Sequence, residues 1–496
     1  MARGEQDAGE EQGGKSRRMS DTARASADPG LPGRSVARLI PLVVASALFM
    51  DLMDTAAIAT ALPTMARELH VAPVDLKFAL TAYMLTIAVL VPASGWFAGR
   101  FGVKRVFMVA MAVFTLGSAC CALSDSLAQL VASRILQGIG GSMMTPVGRS
   151  IVVAVMPRAE LVKAMALFTV PAIIAPLIGP PLAGLMLEYG SWRWIFLINL
   201  PIGLAGLLAV LLYVPRLPSL HAGGFDARGF LLMCVAVLAV MVLAETGGLA
   251  GQPAALRITA LAAAPLAFYL YSRHALTAKA PIIDLKLLRL DTLRVSLLSS
   301  MVQRMPVGAT PFLLPLLLQA GMGMSPLAAS QVMIAMAGGG LLARFAAPPA
   351  LRRLGFRDTM LVFGALTAAG VALPIGFGIG TSIAAMMVAM AFTSFVRSIF
   401  FIPAMTLAYA DVPERSVGHA TVLFTVAQQV SLSLGISLAA WLLDLAATPG
   451  AALTPADFAW PFAVMAVIGA LSLPAVWPLR TDAGDALRGR RVDLAD

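Results

Sequence analysis

Long apolar runs separated by short polar connections dominate this chain. Each run is long enough to cross a bilayer as a helix, which takes about 20 apolar residues. The runs form two sets of six: 38–63, 78–99, 104–124, 127–155, 161–187 and 193–214, then 293–318, 326–347, 357–377, 381–410, 417–443 and 459–479. The pattern predicts twelve transmembrane helices.

Two further apolar stretches lie between the sets, at residues 229–246 and 256–271. Each is just long enough to span. We therefore predict an all-α polytopic membrane protein with fourteen spans, in which two linker helices join two six-helix bundles. The predicted domains are a first bundle over 35–214, a linker over 215–292 and a second bundle over 293–479.

The placement of Lys and Arg tests this count, because short cytoplasmic loops carry an excess of both. With both termini in the cytoplasm, only four fall outside: Arg67, Lys77, Arg193 and Arg257. If only one middle stretch spanned the membrane, the second half would invert, and Arg352, Arg353 and Arg357 would face outward. The two stretches must therefore both span or both stay out, and their length favours spanning.

Composition excludes most soluble classes, since 59% of residues are hydrophobic and 12% are charged, against about a quarter charged in a soluble domain. The net charge of +10 is spread over loop clusters without aromatic interleaving, so no nucleic-acid surface is predicted. The three cysteines lie inside apolar runs, and the histidines lie between runs or, like His419, at the end of one. No metal site and no catalytic constellation is expected.

The polar ends predict cytoplasmic tails. Residues 1–34 are rich in Gly, Ser, Ala and charge, without the apolar core of a signal peptide, and predict a disordered tail. Met19 is an alternative start. Residues 480–496 form a second, shorter tail.

The two halves carry a similar turn after their second helix. Residues 95–105 are GWFAGRFGVKR and residues 353–357 are RLGFR. Such weak similarity is typical of duplicated transporter bundles. The first turn resembles the loop motif of the major facilitator superfamily, G-x-L-A-D-R-x-G-R-K, except that Gly99 replaces its Asp. The resemblance implies a cytoplasmic gate loop at Gly95, Arg100, Gly102, Lys104 and Arg105.

Four further stretches are similar to the fourteen-spanner drug:proton antiporter branch of that superfamily, the EmrB/QacA type. They are DLMDTAAIATALP at 51–63, RILQGIG at 134–140, APLIGPPLAG at 175–184 and WRWIFLINLPIG at 192–203. In the first, Ala56 and Ala59 replace the usual Thr and Asn. The third resembles the antiporter motif, with Gly179, Pro180, Pro181 and Gly184, which would act as a pivot and seal; the alternative is a plain kink.

Asp51 and Asp54 lie three residues apart, on one face of the first helix. A carboxylate inside a spanning helix is costly and is presumed functional. Repulsion between the two carboxylates and their removal from water both favour protonation of at least one of them. Arg134 lies at a depth similar to that of Asp54, so a charge pair is expected. We predict these three residues as the proton-coupling group; the alternatives are helix packing for either Asp and a static ion pair.

Polar residues also interrupt apolar runs of the second half. Because lipid would not tolerate them, we expect them to face a cavity. The two arginines would bind an anionic substrate group or pair with backbone carbonyls. The residues are Gln303, Arg304, Arg397, Gln428 and Gln429.

The predicted function is efflux of small amphipathic molecules or drugs across the cell (inner) membrane, in exchange for protons and by alternating access. The alternative is a dedicated exporter of a specific metabolite or organic anion on the same fold. Neither an enzyme nor a cofactor is expected, because the proton gradient would drive transport. The expected partners are the substrate, protons and the lipid bilayer. The sequence does not indicate whether a periplasmic adaptor is needed.

Overall fold

The computed structural model describes residues 39–156, 160–215, 224–246, 254–278, 281–413, 416–448 and 451–480. These residues form helices joined by short turns and contain no strand. The predicted tail over 1–34, Met19 and residues 481–496 lie outside the described residues. So does the loop between the two middle helices, at 247–253.

The first half consists of helices that follow the predicted apolar runs closely. The fifth run is interrupted at Val170, directly before Pro171, whose nitrogen has no hydrogen to donate to the helix. The sixth run is interrupted at Ile198. The helices are α1 Ile40–Glu68, α2 Lys77–Phe101, α3 Val103–Ala122, α4 Leu127–Val155, α5 Leu161–Thr169, α6 Pro171–Tyr189, α7 Arg193–Leu197 and α8 Asn199–Tyr213.

The rest of the chain contains the two middle helices and the second half. Helix α12 joins two predicted runs, and its backbone leaves the helical conformation only at Gly355. The loop expected there is thus reduced to one residue. The helices are α9 Ala227–Thr246, α10 Ala254–Thr277, α11 Asp291–Leu316, α12 Pro326–Ala372, α13 Ile383–Leu407, α14 Val417–Ala446, α15 Ala459–Ala470 and α16 Ser472–Val476.

Within the described residues, ten helices are long and apolar enough to cross a membrane. One of them, Pro326–Gly376, has 51 residues and contains the bend at Gly355. At about 1.5 Å per residue it is long enough for two crossings. Large aliphatic side chains are exposed along the outer faces, as at Leu204, Leu208 and Leu212 of α8. The protein is therefore a multi-pass membrane protein.

Among the described residues, the two halves meet mainly along three helix pairs. Helix α1 packs against α11, α2 against α14, and α6 against α12. Helix α9 contacts both α2 and α14, so it lies over the seam between the halves, and α10 packs on α9. This arrangement leaves a cavity between α1 and α6 of the first half and α11, α12 and α13 of the second.

Candidate functional site

The central cavity has a volume of about 750 Å³, within the range of sites for drug-sized molecules. Its wall is mostly apolar. Two arginines, both from the second half, are the charged side chains among its described lining residues. The lining includes Leu52, Thr55, Pro176, Pro180, Met333, Met336, Arg344, Ser394, Arg397, Ser398, Phe401 and Met405.

The cavity is closed at the end where α1 finishes. The hydroxyl of Thr60 is buried and donates to the Met333 sulfur at 3.3 Å, across the two halves. Gln319 Nε2 donates to the Thr60 carbonyl at 2.9 Å. At the opposite end, the lining residues Arg344 and Met405 are exposed. The cavity is therefore accessible from the end where α1 begins.

Asp54 is the centre of a buried polar cluster inside the first half. Arg134 Nη1 donates to its Oδ2 at 2.5 Å, and both side chains are shielded from solvent. Gln137 Nε2 donates to Asp54 Oδ1 at 3.0 Å, and Asn199 Nδ2 lies 3.5 Å from the same oxygen. Asn199 Nδ2 also donates to Ser118 Oγ at 3.0 Å. Helices α1, α4 and α8 thus meet at one carboxylate, and α3 joins the cluster through Ser118.

Asp51 belongs to the same group through Tyr83 of α2. The Tyr83 hydroxyl donates to Asp51 Oδ1. The Tyr83 ring lies under the Arg134 guanidinium, with 4.1 Å between the guanidinium carbon and the ring centroid. Asp51 is only half-buried, whereas Asp54 is fully buried. The three predicted proton-coupling residues are thus brought together, with Asp51 nearer to solvent.

A second polar network ties helices together near the closed end. Trp192 Nε1 donates to Glu68 Oε2 at 2.8 Å, and Arg193 Nη1 donates to the same oxygen at 3.2 Å. Arg193 Nη2 donates to Asp125 Oδ1 at 3.0 Å. The stretch over 192–203 therefore ties α7 to α1 and to the turn that follows α3 and, through Asn199, reaches Asp54.

The stretch resembling the antiporter motif lies between the two halves. Gly179 packs on α1 one turn from the carboxylates, where a Cβ would lie 3.0 Å from the Ala56 Cβ. A Cβ on Gly184 would lie 2.7 Å from Ser330 Oγ of α12, which is too close. Pro180 lines the cavity, and Pro181 follows it in the same helix. Helix α6 can therefore lie close to both halves at once.

The residues of the predicted gate loop occupy the end where α2 meets α3. Gly102 joins the two helices with φ of 88°, which glycine adopts readily. Lys104 Nζ donates to the carbonyls of Leu211 at 3.0 Å and Val214 at 2.5 Å, at the end of α8. The backbone of Gly95 and the side chains of Arg100 and Arg105 are exposed.

The polar residues of the second half are placed differently from one another. Gln303 is fully buried and does not line the central cavity. Its side chain donates to the Gly364 carbonyl at 3.4 Å and accepts from Ser472 Oγ at 3.2 Å. Arg397 lines that cavity. Arg304 lies beside Phe401, a lining residue, with its guanidinium carbon 4.5 Å from the ring centroid. Gln428 and Gln429 are half-buried on α14.

Several members of the Asp54 cluster, among them Gln137, Asn199, Ser118 and Tyr83, were not among the predicted site residues. Gln137 and Asn199 belong to two of the motifs, and each is a polar side chain inside an apolar run, which is the signal that marks them. Tyr83 gave no signal, since an aromatic residue is ordinary in a spanning helix. No group of His, Cys, Asp and Glu able to hold a metal occurs in the part of the chain that the structure describes.

Comparison with known proteins assigns the chain to a family. The model of the Major Facilitator Superfamily matches residues 44–435 and 296–491. The chain belongs to the Major Facilitator Superfamily, as the motifs predicted. It is accordingly a transporter and not an enzyme.

Relatives with substantial identity extend over most of the chain. "Putative multidrug resistance protein MdtD" of Cronobacter sakazakii is 37% identical over 440 residues, which cover 88% of this chain and 92% of that protein. The protein of the same name from Escherichia coli O157:H7 is 37% identical over 408 residues, covering 81% and 85%.

Solved transporter structures share the fold at low sequence identity. An auto-inhibited peptide transporter of the POT family has a TM-score of 0.65 at 18% identity, with 92% of this chain and 98% of that chain covered. The xylose transporter XylE of E. coli, in an inward-open conformation, has a TM-score of 0.60 at 14% identity, with 90% and 99% covered.

Proposed function

We propose that this protein exports small amphipathic molecules or drugs across the cell (inner) membrane in exchange for protons, by alternating access. It would cross the membrane fourteen times, with both termini in the cytoplasm. The bias of Lys and Arg toward one set of loops supports this topology. The multidrug resistance relatives support the substrate class.

The observation that carries the proposal is the ion pair of Asp54 and Arg134. A fully buried carboxylate in a spanning helix is costly to maintain and marks proton relays and substrate pathways. Here its charge is met by Arg134 and by hydrogen bonds from Gln137 and Asn199. Protonation of Asp54 would cancel the attraction that joins α1 to α4. Proton binding would thereby be converted into a change in helix packing.

The state of the cavity fits one step of an export cycle. With the N-terminus in the cytoplasm, the end closed at Thr60 faces outward and the accessible end faces the cytoplasm. This conformation would take up substrate from inside while Asp54 is ionised and paired with Arg134. A proton arriving from outside would neutralise Asp54 in the outward-facing state, and its release inside would restore the pair. The cycle requires protons and substrate but no cofactor.

Inverted membrane vesicles test this proposal. Full-length protein is placed in vesicles, an inside-acid pH gradient is imposed, and accumulation of a panel of drugs and dyes is measured. Asp54→Asn keeps the shape of the side chain but cannot exchange a proton, so gradient-driven accumulation should be lost. Asp444→Asn is the matched control, because Asp444 is exposed at the far end of α14.

Two outcomes contradict the proposal. If Asp54→Asn accumulates substrate on the imposed gradient at the wild-type rate, coupling lies elsewhere and Asp51 becomes the candidate. If wild type, shown to be folded by size-exclusion chromatography, accumulates no compound of the panel, proton-driven export of amphipathic molecules is wrong.

A further inference from the structure

The second-half wall of the cavity contains cations without acidic partners. Arg397 lines the cavity and donates one hydrogen bond, from Nη2 to Ser394 Oγ at 3.1 Å, within its own helix. No carboxylate lies within 4.0 Å of it among the described residues. Arg344 also lines the cavity, at its exposed end. The described lining contains no acidic residue.

A third arginine stands behind this wall. Arg304 is 9% exposed, and its buried Nε has no hydrogen-bond partner. Its guanidinium lies over the ring of Phe401, which lines the cavity, and farther from Phe424, at 5.9 Å from that ring centroid. Arg397 is close enough to repel it electrostatically. Neither cation is neutralised by a described side chain.

Two neighbouring cations inside a membrane domain are costly unless an anion meets them. Breaking a buried ion pair strands a charge and destabilises a protein strongly. In the first half, Asp54 neutralises Arg134, whereas Arg304 and Arg397 have only an aromatic face and a serine hydroxyl. A ligand that brings an anionic group to this wall would supply the missing counter-charge with charge-assisted hydrogen bonds.

We propose that the transported substrate is an amphipathic organic anion, whose carboxylate or sulfonate is bound by Arg397 with support from Arg304. This inference rests on the proposed export function and names its substrate class. The apolar body of the anion would contact Met333, Met336 and Pro180 across the cavity. The volume of about 750 Å³ accommodates a molecule of drug size.

Binding to purified full-length protein in detergent at one fixed pH tests the substrate class without involving the proton gradient. The probes are 5-carboxyfluorescein and rhodamine 123, which share a fused xanthene ring system but carry opposite net charge. Fluorescence anisotropy gives both dissociation constants. We expect wild type to bind the anionic dye at least tenfold more tightly than the cationic one.

Substitution of the arginines separates recognition of the anionic charge from nonspecific hydrophobic binding in the cavity. Arg397→Gln and Arg304→Gln should each weaken binding of 5-carboxyfluorescein about tenfold or more, because a charge-assisted contact is lost. Binding of rhodamine 123 should stay the same or improve. The matched control is Arg294→Gln, since Arg294 lies on the same helix as Arg304 but is exposed and pairs with Asp291.

Equal affinity for the two dyes, or unchanged anion binding in folded Arg397→Gln, overturns the proposal. If Arg304→Gln fails to fold, Arg304→Lys keeps the charge and should retain most of the anion binding. Transport distinguishes this proposal from the export function. Uptake of rhodamine 123 but not of the anion on a pH gradient rejects the substrate class alone, whereas anion binding without gradient-driven uptake rejects proton-coupled export.

Discussion

Gly102 and Gly355 both have a positive φ, of 88° and 83°, at the same place in the two halves. In each half, the basic residue two positions later donates to a carbonyl at the end of the last helix of that half. Lys104 Nζ donates to Val214 O at 2.5 Å, and Arg357 Nη2 donates to Trp477 O at 3.3 Å. The turn that repeats in the sequence therefore makes the same kind of contact in both halves of the structure.

Replacing either glycine by alanine should destabilise the protein. A side chain at a sparsely populated backbone conformation costs about 1–3 kcal/mol, so Gly102→Ala and Gly355→Ala should each lower the apparent Tm in detergent. Gly418→Ala is the control, because Gly418 lies in α14 with open space around its Cβ position, and alanine favours helix. If the three variants have the same apparent Tm, the positive φ of the two glycines does not contribute to stability as predicted.

Tyr83→Phe separates the hydroxyl of Tyr83 from its ring. The ring stays under Arg134, while Asp51 loses its donor. Loss of one hydrogen bond is worth about 1 kcal/mol, so we expect pH-gradient-driven uptake to slow several-fold while substrate affinity stays unchanged. Asp51→Asn should likewise do less harm than Asp54→Asn. Uptake at the wild-type rate in Tyr83→Phe would separate Asp51 from the coupling group.

Arg134→Ala should impair folding more than Asp54→Asn does. Removing the arginine leaves Asp54 buried without its counter-charge, whereas the amide of Asn stays neutral beside Arg134; breaking a buried pair costs about 3–5 kcal/mol when a charge is stranded. Yield of monodisperse protein and apparent Tm measure the effect. The double variant Arg134→Ala with Asp54→Asn should recover part of the loss. A double variant as unstable as Arg134→Ala would show that packing, not charge, makes Arg134 necessary.

Gly99→Asp restores the residue usual in the superfamily and places a carboxylate beside Arg100 and Lys104. We expect the variant to fold and to favour the conformation closed toward the cytoplasm. Labelling of cysteine probes introduced at Thr55 and Ser398, which line the cavity, should slow. Gly99→Asn is the uncharged control. An unchanged labelling rate would mean that another contact already closes this side.

The topology predicts the location of reporters fused in the linker. A fusion within 248–252 should report outside, and a fusion at Pro281 should report the cytoplasm, because both middle helices are expected to span. A fusion at Asp411, predicted to be cytoplasmic, provides the control. If both linker positions report cytoplasmic, the middle pair stays out of the membrane and the protein has twelve spans.

The helices could be predicted from the sequence because the requirements for crossing a lipid bilayer are met within each segment. Each span must satisfy its own backbone hydrogen bonds and present apolar side chains, so composition within a window of about 20 residues predicts it. The interruption at Val170 before Pro171 and the turn at Gly355 are also local. Comparison with the family model then confirmed the superfamily that the motifs predicted.

The placement of single side chains was decided only by the tertiary structure, because it depends on neighbours distant in the chain. Gln303 and Arg304 are adjacent and were expected to share a cavity. Successive helical residues point about 100° apart, and Gln303 meets Gly364 and Ser472 while Arg304 meets Phe401. The contact between Asp51 and Tyr83 also depends on tertiary structure, since Tyr83 lies 32 residues farther along the chain on another helix. The sequence by itself determined which segments form apolar helices, and packing between those helices decided which polar groups meet.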